Sequence, residues 1–224
     1  MKNYKLIVTL IIIAAQTVFL TGCMDNVEEI LYQTDSPDPE NGITKIYYTE
    51  KLDPPSAQEY TFQETSKTKE DVENEVRAVV TVKIKRSDEL AIDYIYEQTS
   101  ETRYISYLIA EVTDVFSDTN SELQKGSEIK IFYSNNTHVY IDSLPLIQEG
   151  EEYFMFLTTM ISPFHEYGKY YIYMPQTLLF KKNENGFYDF TKMLEVFTLE
   201  DFGLTEGAVP TIDIMHDFFS GENK

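Results

Sequence analysis

Residues 76–86, VRAVVTVKIKR, constrain the fold of this chain more than any other stretch. Val76, Ala78, Val80, Val82 and Ile84 fall at every second position. Arg77, Thr81, Lys83 and Lys85 stand between them, with Val79 the exception. Successive side chains of a β-strand point to opposite faces, so this alternation sets one face on a core and the other in water. RYISYLIAEVTDVF reads as a longer strand, with Leu108, Ala110, Val112 and Phe116 on one side and Glu111 and Thr113 on the other. EIKIFY, EEYFMFLTT, KYYIYM and TLLFKK follow as further strands, and Gly126, Gly150 and Gly168 precede three of them. Asn185-Gly186 reads as a two-residue hairpin turn between LLFKK and FYDF. YFMFL is apolar on both faces and is expected to be the most buried strand. Val80, Val82, Leu108, Val112, Phe154 and Phe156 are the core candidates.

The flanks differ from this middle part. FTKMLEVFTLEDFGL and PTIDIMHDFFSGENK read as amphipathic helical pieces; in the second, Ile212, Met215 and Phe219 recur at helical spacing between Pro210 and Gly221. They are expected to cap the strands, with Met193 and Met215 in the core. TKIYYTE reads as a short strand, and SKTKEDVENEV carries capping residues for a short helical turn. At the other end, Lys2 and Lys5 precede an apolar run, Leu6 to Leu20, of signal-peptide length and short of the roughly 20 residues that span a bilayer. The run ends Leu20-Thr21-Gly22-Cys23, and Cys23 is the one cysteine in the chain. This segment resembles the bacterial lipoprotein signal peptide, whose lipobox reads Leu-x-Gly-Cys. The resemblance implies cleavage between Gly22 and Cys23 and a diacylglyceryl group on the Cys23 sulfur. Two acyl chains hold a protein firmly at a bilayer, where a single one is marginal.

The expected organisation is therefore a signal peptide over 1–22, a lipidated cysteine and acidic tether over 23–75, a β-barrel domain over 76–190 and a helical extension over 191–224. Met24 to Thr44 holds six acids and no lysine or arginine, and includes the breaker cluster TDSPDPENG. The whole chain carries 18 basic and 38 acidic residues. Losing Lys2 and Lys5 with the signal moves the net charge from −20 to −22. Nucleic-acid binding rests on cations that neutralise phosphates, so this balance excludes it. It equally opposes electrostatic docking on anionic lipid heads.

Five or six short strands separated by turn signals fit a small closed barrel or a sandwich. The order VVTVKI, then YLIAEVTDVF with LQKGSEIKIFY behind it, then LIQEGEEYFMFL, resembles the OB-fold-like barrel of uncharacterised lipoproteins from low-GC Gram-positive bacteria. It is distantly similar to the netrin/TIMP module. The likeness covers roughly 76–190, and Glu149-Gly150-Glu151-Glu152-Tyr153 is its most characteristic piece. It implies a mainly β fold, a small antiparallel OB-like barrel, with no catalytic motif. In the netrin/TIMP family an N-terminal cysteine with a free amine chelates a protease metal. The comparable Cys23 is expected to be acylated and lies far upstream, so that activity does not carry over.

Catalytic and metal patterns fail on inspection. HEYGK opens like the zinc signature H-E-x-x-H, but Lys169 stands where the second histidine belongs. His138, His165 and His216 read as surface or packing residues. KKNENG places Asn183, Asn185 and Gly186 as a calcium loop would, yet Lys181 and Lys192 occupy ligand positions. Glu151/Glu152 and Glu28/Glu29 are adjacent, so on a strand they face opposite ways and form no acid/base dyad. No cofactor is expected. There are 17 tyrosines and no tryptophan, and Tyr167, Tyr170, Tyr171 and Tyr173 cluster in FHEYGKYYIY. Alternation puts Tyr170, Ile172 and Met174 on the core face, leaving Tyr171 and Tyr173, with Tyr167, as the exposed binding candidates. The expectation is a lipoprotein on the extracytoplasmic face of the cell membrane. It would be anchored through Cys23 and bind a protein or envelope ligand without catalysis. The alternative is an envelope hydrolase using carboxylates.

Overall fold

The computed structural model describes residues 43–56, 68–96, 99–141, 144–159 and 169–220. The signal segment, the lipobox with Cys23, the acidic stretch up to residue 42, His165 and Tyr167 lie outside the described residues. Among those described, the chain is mainly β. The strands are β1 (Ile43–Thr49), β2 (Ala78–Tyr96), β3 (Thr99–Asp118), β4 (Glu128–Tyr133), β5 (Glu152–Thr159), β6 (Tyr170–Ile172) and β7 (Leu179–Lys181). Helix α1 (Lys69–Glu75) precedes β2, and α2 (Ile212–Ser220) ends the described chain after two 3-10 turns, Thr191–Glu195 and Glu200–Phe202.

All seven strands belong to one mixed sheet. β2 pairs antiparallel with β1, β3 and β5, and β3 pairs antiparallel with β4. β4 runs parallel to β6, while β5 is antiparallel to both β6 and β7. The pairings thus run β2-β3-β4-β6-β5 and return to β2, with β1 and β7 outside that circuit. The antiparallel expectation is corrected at one place, the parallel β4–β6 contact, which arises because the chain crosses from β5 back to β4. β2 and β3 are 19 and 20 residues long, far more than the circuit uses. β5 covers only Ala78 to Lys83 of β2, and β4 only Ser106 to Glu111 of β3. The remainder forms a hairpin arm, and β1 lies along it from Glu89 to Tyr94.

Bulges decide which side chains go where. Val79 of β2 faces Ser117 of β3 and Val80 faces Val115, so Phe116 is an extra residue on β3; Thr113 is a second. An extra residue turns the following side chains to the other face. Phe116 therefore leaves the face it would share with Leu108, Ala110 and Val112. On β2 the extra residue is Lys85, between Ile84 opposite Ala110 and Arg86 opposite Ile109. Beyond it, Ser87, Glu89 and Ala91 take the inner positions, and all three are buried.

Three apolar clusters result. The first fills the inside of the circuit with Val80, Val82, Leu108, Val112, Met155 and Leu157 among others, and Ile141, Leu144 and Ile147 close one end. The second lies on the outer face, under the C-terminal elements, and holds Val79, Phe116, Phe154, Phe156, Met193 and Met215. The third, Leu90, Ile92, Tyr107 and Phe132, supports the arm. All six core candidates are fully buried. Phe154 and Phe156 occupy the outer cluster, however, while Tyr153, Met155 and Leu157 of the same strand point inward. Val79 breaks the polar alternation because its face is covered too.

Turn chemistry explains the strand entries. Gly150 has φ 82, and its N–H donates to the Ile84 carbonyl at 2.8 Å while Ile84 donates to Glu151 O at 2.9 Å. That positive φ suits glycine, and the turn is stitched to β2 before β5 begins. At Asn183–Phe187 the turn forms around Gly186, φ 84, with the Asn183 side chain accepting from the N–H groups of Asn185 and Phe187. The expected return strand FYDF is irregular. FTKMLEVFTLEDFGL likewise forms two short 3-10 turns and no continuous helix.

Candidate functional site

The outer cluster leaves a cavity of about 320 Å³ between α1, the start of β2, the end of β3, β5 and the C-terminal elements. α1 forms because Thr68 and Asp71 make a reciprocal capping box: Asp71 N–H donates to Thr68 Oγ1 at 3.3 Å and Thr68 N–H to Asp71 Oδ2 at 2.7 Å. Val72 and Val76, one turn apart, then share the buried face. They form one wall with Val79. Phe156, Phe197, Phe218 and Phe219 form the other, and Glu73, Ser117 and Thr119 lie at the edge.

The phenylalanine wall is a network of edge-on rings. Phe219 meets Phe156 at 5.4 Å and Phe218 at 4.8 Å between centroids, and Phe218 meets Phe202 at 4.9 Å. Such tilted pairs match the positive ring edge to a negative face. Lys69 lies against Phe218 outside the lining. Its Nζ lies 5.6 Å from the Phe218 centroid, 2.5 Å from Asp201 and 3.9 Å from Glu73. Asp201 also accepts from the N–H and hydroxyl of Thr198, both at 2.8 Å, so it ties α1 to the 3-10 turn.

This pair titrates in a predictable direction. The hydrogen bond from Lys69 holds the Asp201 carboxyl below its usual 3.8, and burial opposes that. The bond to Asp201 raises Lys69 above its usual 10.5, again against burial. A depressed carboxyl contributes stability above its unfolded pKa and loses it as pH falls through the folded one. A raised ammonium contributes below its unfolded pKa and loses it as pH rises through the folded one. Asp201→Asn should therefore lower stability by about 0.5–1 kcal/mol at neutral pH, since both side chains are partly solvated. The gap to the unmodified chain in urea melts should close below pH 3.8. A gap that persists in acid would show that the charge is not the cause.

Of the tyrosine candidates Tyr171 and Tyr173 are described, and Tyr167 lies outside the described residues. Tyr170 and Ile172 are buried inside the circuit, as alternation requires. Tyr171 pairs with Phe132 across the sheet and is half-buried against the third cluster. Burial raises its phenol pKa. Tyr173 is corrected from exposed to buried, at 7 % accessibility: it keeps the outward face that alternation gives it, its N–H donating to the Phe156 carbonyl at 2.8 Å, but that face is covered by the outer cluster.

A second polar assembly lies where the arm meets the 134–141 segment. Glu89 is 3 % exposed and accepts from Thr137 N–H at 2.7 Å and Thr137 Oγ1 at 2.8 Å. His138 stacks on Tyr104 at 4.2 Å, and its Nε2 lies 2.9 Å from Glu50 O and 3.6 Å from Glu89 Oε2. Buried Asn135 and Asn136 satisfy backbone groups of the same segment: Asn135 binds Leu144 O and Ile141 N, and Asn136 binds Tyr104 O and His138 N. These bonds order the 134–141 segment, tie it to Leu144 and join it to β1, β2 and β3, so the assembly is architectural. Glu151 pairs with Lys181 at 3.2 Å, while Glu152 takes Lys182 at 3.0 Å and the Tyr188 hydroxyl at 2.7 Å. His216 is exposed against the edge of Phe116. Among the described residues no group of three His, Cys, Asp or Glu side chains is placed to hold a metal ion, and no helix is long and apolar enough to cross a membrane.

Reading the sequence alone passed over the cavity and Glu89. The pattern of α2 signalled an apolar face, to which Phe218 and Phe219 belong, while Phe197 comes from the link between the two 3-10 turns. Nothing local signals Glu89, because the Lys85 bulge alone turns it inward. Comparison with family models, curated proteins and solved structures finds no match to this chain.

Proposed function

We propose that this chain is a lipoprotein held through Cys23 at the extracytoplasmic face of a cell membrane. Its β domain works as a non-catalytic binding module on an OB-like barrel. The circuit supports the barrel reading. Its five strands follow the order first, second, third, fifth, fourth and back to first, with the single parallel contact between third and fifth, as in OB-type barrels. Leu20-Thr21-Gly22-Cys23 after a charged start supports the anchor. The observation that carries the binding reading is the aromatic cavity of about 320 Å³, within the size range of small-ligand pockets. The acidic composition keeps the body off anionic lipid heads, so attachment rests on the acyl chains.

Two measurements test this. Mass spectrometry of the membrane-extracted protein should find a mature N-terminus at Cys23 carrying diacylglycerol. Cys23→Ser should abolish lipidation and cleavage, leaving an unacylated precursor that keeps its apolar run. Native mass spectrometry of the extracted protein should find a retained small molecule. Thr119→Phe, which fills the cavity from its exposed edge, should remove it. An N-terminus elsewhere sinks the anchor, and identical spectra for the two proteins sink the pocket.

A further inference from the structure

We propose that the cavity selects a compact apolar ligand bearing a protonated amine, an arylalkylamine by class, with Glu73 as its counter-ion. This rests on the binding reading above and adds the chemistry of the ligand. Valine and phenylalanine make up most of the lining, and Glu73, Ser117 and Thr119 form its polar, open edge. Among the described residues Glu73 is the only charged side chain that lines the space, and it is exposed at the edge. A ligand placed there with its apolar body on the phenylalanines brings its own polar end to a carboxylate.

Lys69 is an internal template for that recognition. Its ammonium lies 5.6 Å from the Phe218 centroid, within reach of the negative ring face, and is flanked by two carboxylates. The closer one is Asp201 at 2.5 Å, and Glu73 is left at 3.9 Å, beyond hydrogen-bond distance. Glu73 thus has a long ion pair and full capacity for a nearer cation. A ligand amine at Glu73 would repeat the Lys69 environment one helical turn along, a carboxylate with phenyl rings. The net charge of −20 draws cations toward the whole surface and repels anionic competitors. A fatty acid or aryl carboxylate would meet Glu73 as a like charge, and an aryl alcohol would leave it unneutralised.

The test uses the full lipidated chain in nanodiscs, with valine methyl groups isotopically labelled, titrated with 2-phenylethylamine, 2-phenylethanol and 3-phenylpropionate. The amine should produce saturable shifts at the Val72, Val76 and Val79 methyls with a dissociation constant about three- to fivefold lower than the alcohol, and the carboxylate should produce none. Glu73→Gln should melt as cooperatively as the unmodified chain and bring amine and alcohol to the same affinity. Saturable shifts of equal affinity for amine and alcohol would overturn the counter-ion role and leave the binding reading standing. No saturable shift from any probe would overturn both. An amine preference that survives Glu73→Gln would likewise overturn the assignment to Glu73.

Discussion

Replacing Phe154 with alanine should destabilise the domain by about 3–5 kcal/mol, the largest effect expected of any single truncation here. Phe154 is fully buried and is the hub of the outer cluster. Its ring meets Phe116 at 4.9 Å, Phe190 at 5.0 Å, Phe156 at 5.7 Å, Tyr188 at 6.1 Å and Phe180 at 6.2 Å. Those neighbours come from β3, β5, β7 and the segment after it, so no single element can relax into the void. The loss combines transfer free energy with an uncollapsed cavity. Urea unfolding of the full chain should show a lower midpoint with unchanged slope. Phe187, 69 % exposed, is the control, and its replacement by alanine should stay within about 0.5 kcal/mol. Equal losses at the two positions would refute the outer cluster as a core.

Glu89→Ala should cost about 2–3 kcal/mol, through unmade hydrogen bonds and not through lost apolar area. Glu89 binds both the N–H and the hydroxyl of Thr137. Thr137 in turn accepts from Leu52 N–H at 2.7 Å on its hydroxyl and from Ser56 N–H at 2.7 Å on its carbonyl. One carboxylate therefore orders the segment after β1 and the segment after β4 together. Removing it leaves a buried donor without a partner. Glu89→Gln keeps the shape, can still accept from the N–H and can donate to the hydroxyl, so it should lose only about 1 kcal/mol. Hydrogen exchange provides a local readout: the amides of Leu52, Ser56 and Thr137 should all exchange faster in Glu89→Ala. Protection unchanged at these three would show that the carboxylate does not hold the junction.

What was legible in the sequence was alternation, and what was hidden was where alternation slips. Val80, Val82, Leu108 and Val112 follow a strict period of two and lie inside the circuit as read. Phe116 follows the same period on paper, but the extra residues at Thr113 and Phe116 carry it to the outer face. YFMFL was readable as doubly buried, because both faces are apolar, but not as the partition between two separate clusters. The capping residues of α1 and the asparagine–glycine turn are local chemistry and were readable as such. Tyr173 was not, since it lies on the outward face as alternation gives it and is buried by residues far along the chain that cover that face. The cavity joins residues from both ends of the described chain, and no window of sequence contains it.

The hairpin arm has a mechanical consequence. β1 pairs only with the far part of β2, its Ile43 opposite Tyr94, and it has no partner within the five-strand circuit other than β2. The cavity lies at the other end of the same strand, beside Val79. At about 3.3 Å per residue, the run from Val79 to Tyr94 reaches up to about 50 Å before twist and bulges shorten it. Tension applied from the amino-terminal side would therefore load β1 first and strip it from the arm pair by pair. The circuit and its phenylalanine wall would stay shut behind it. β1 is in that sense a sacrificial link, and a pull along the chain would be spent there before it could deform the cavity.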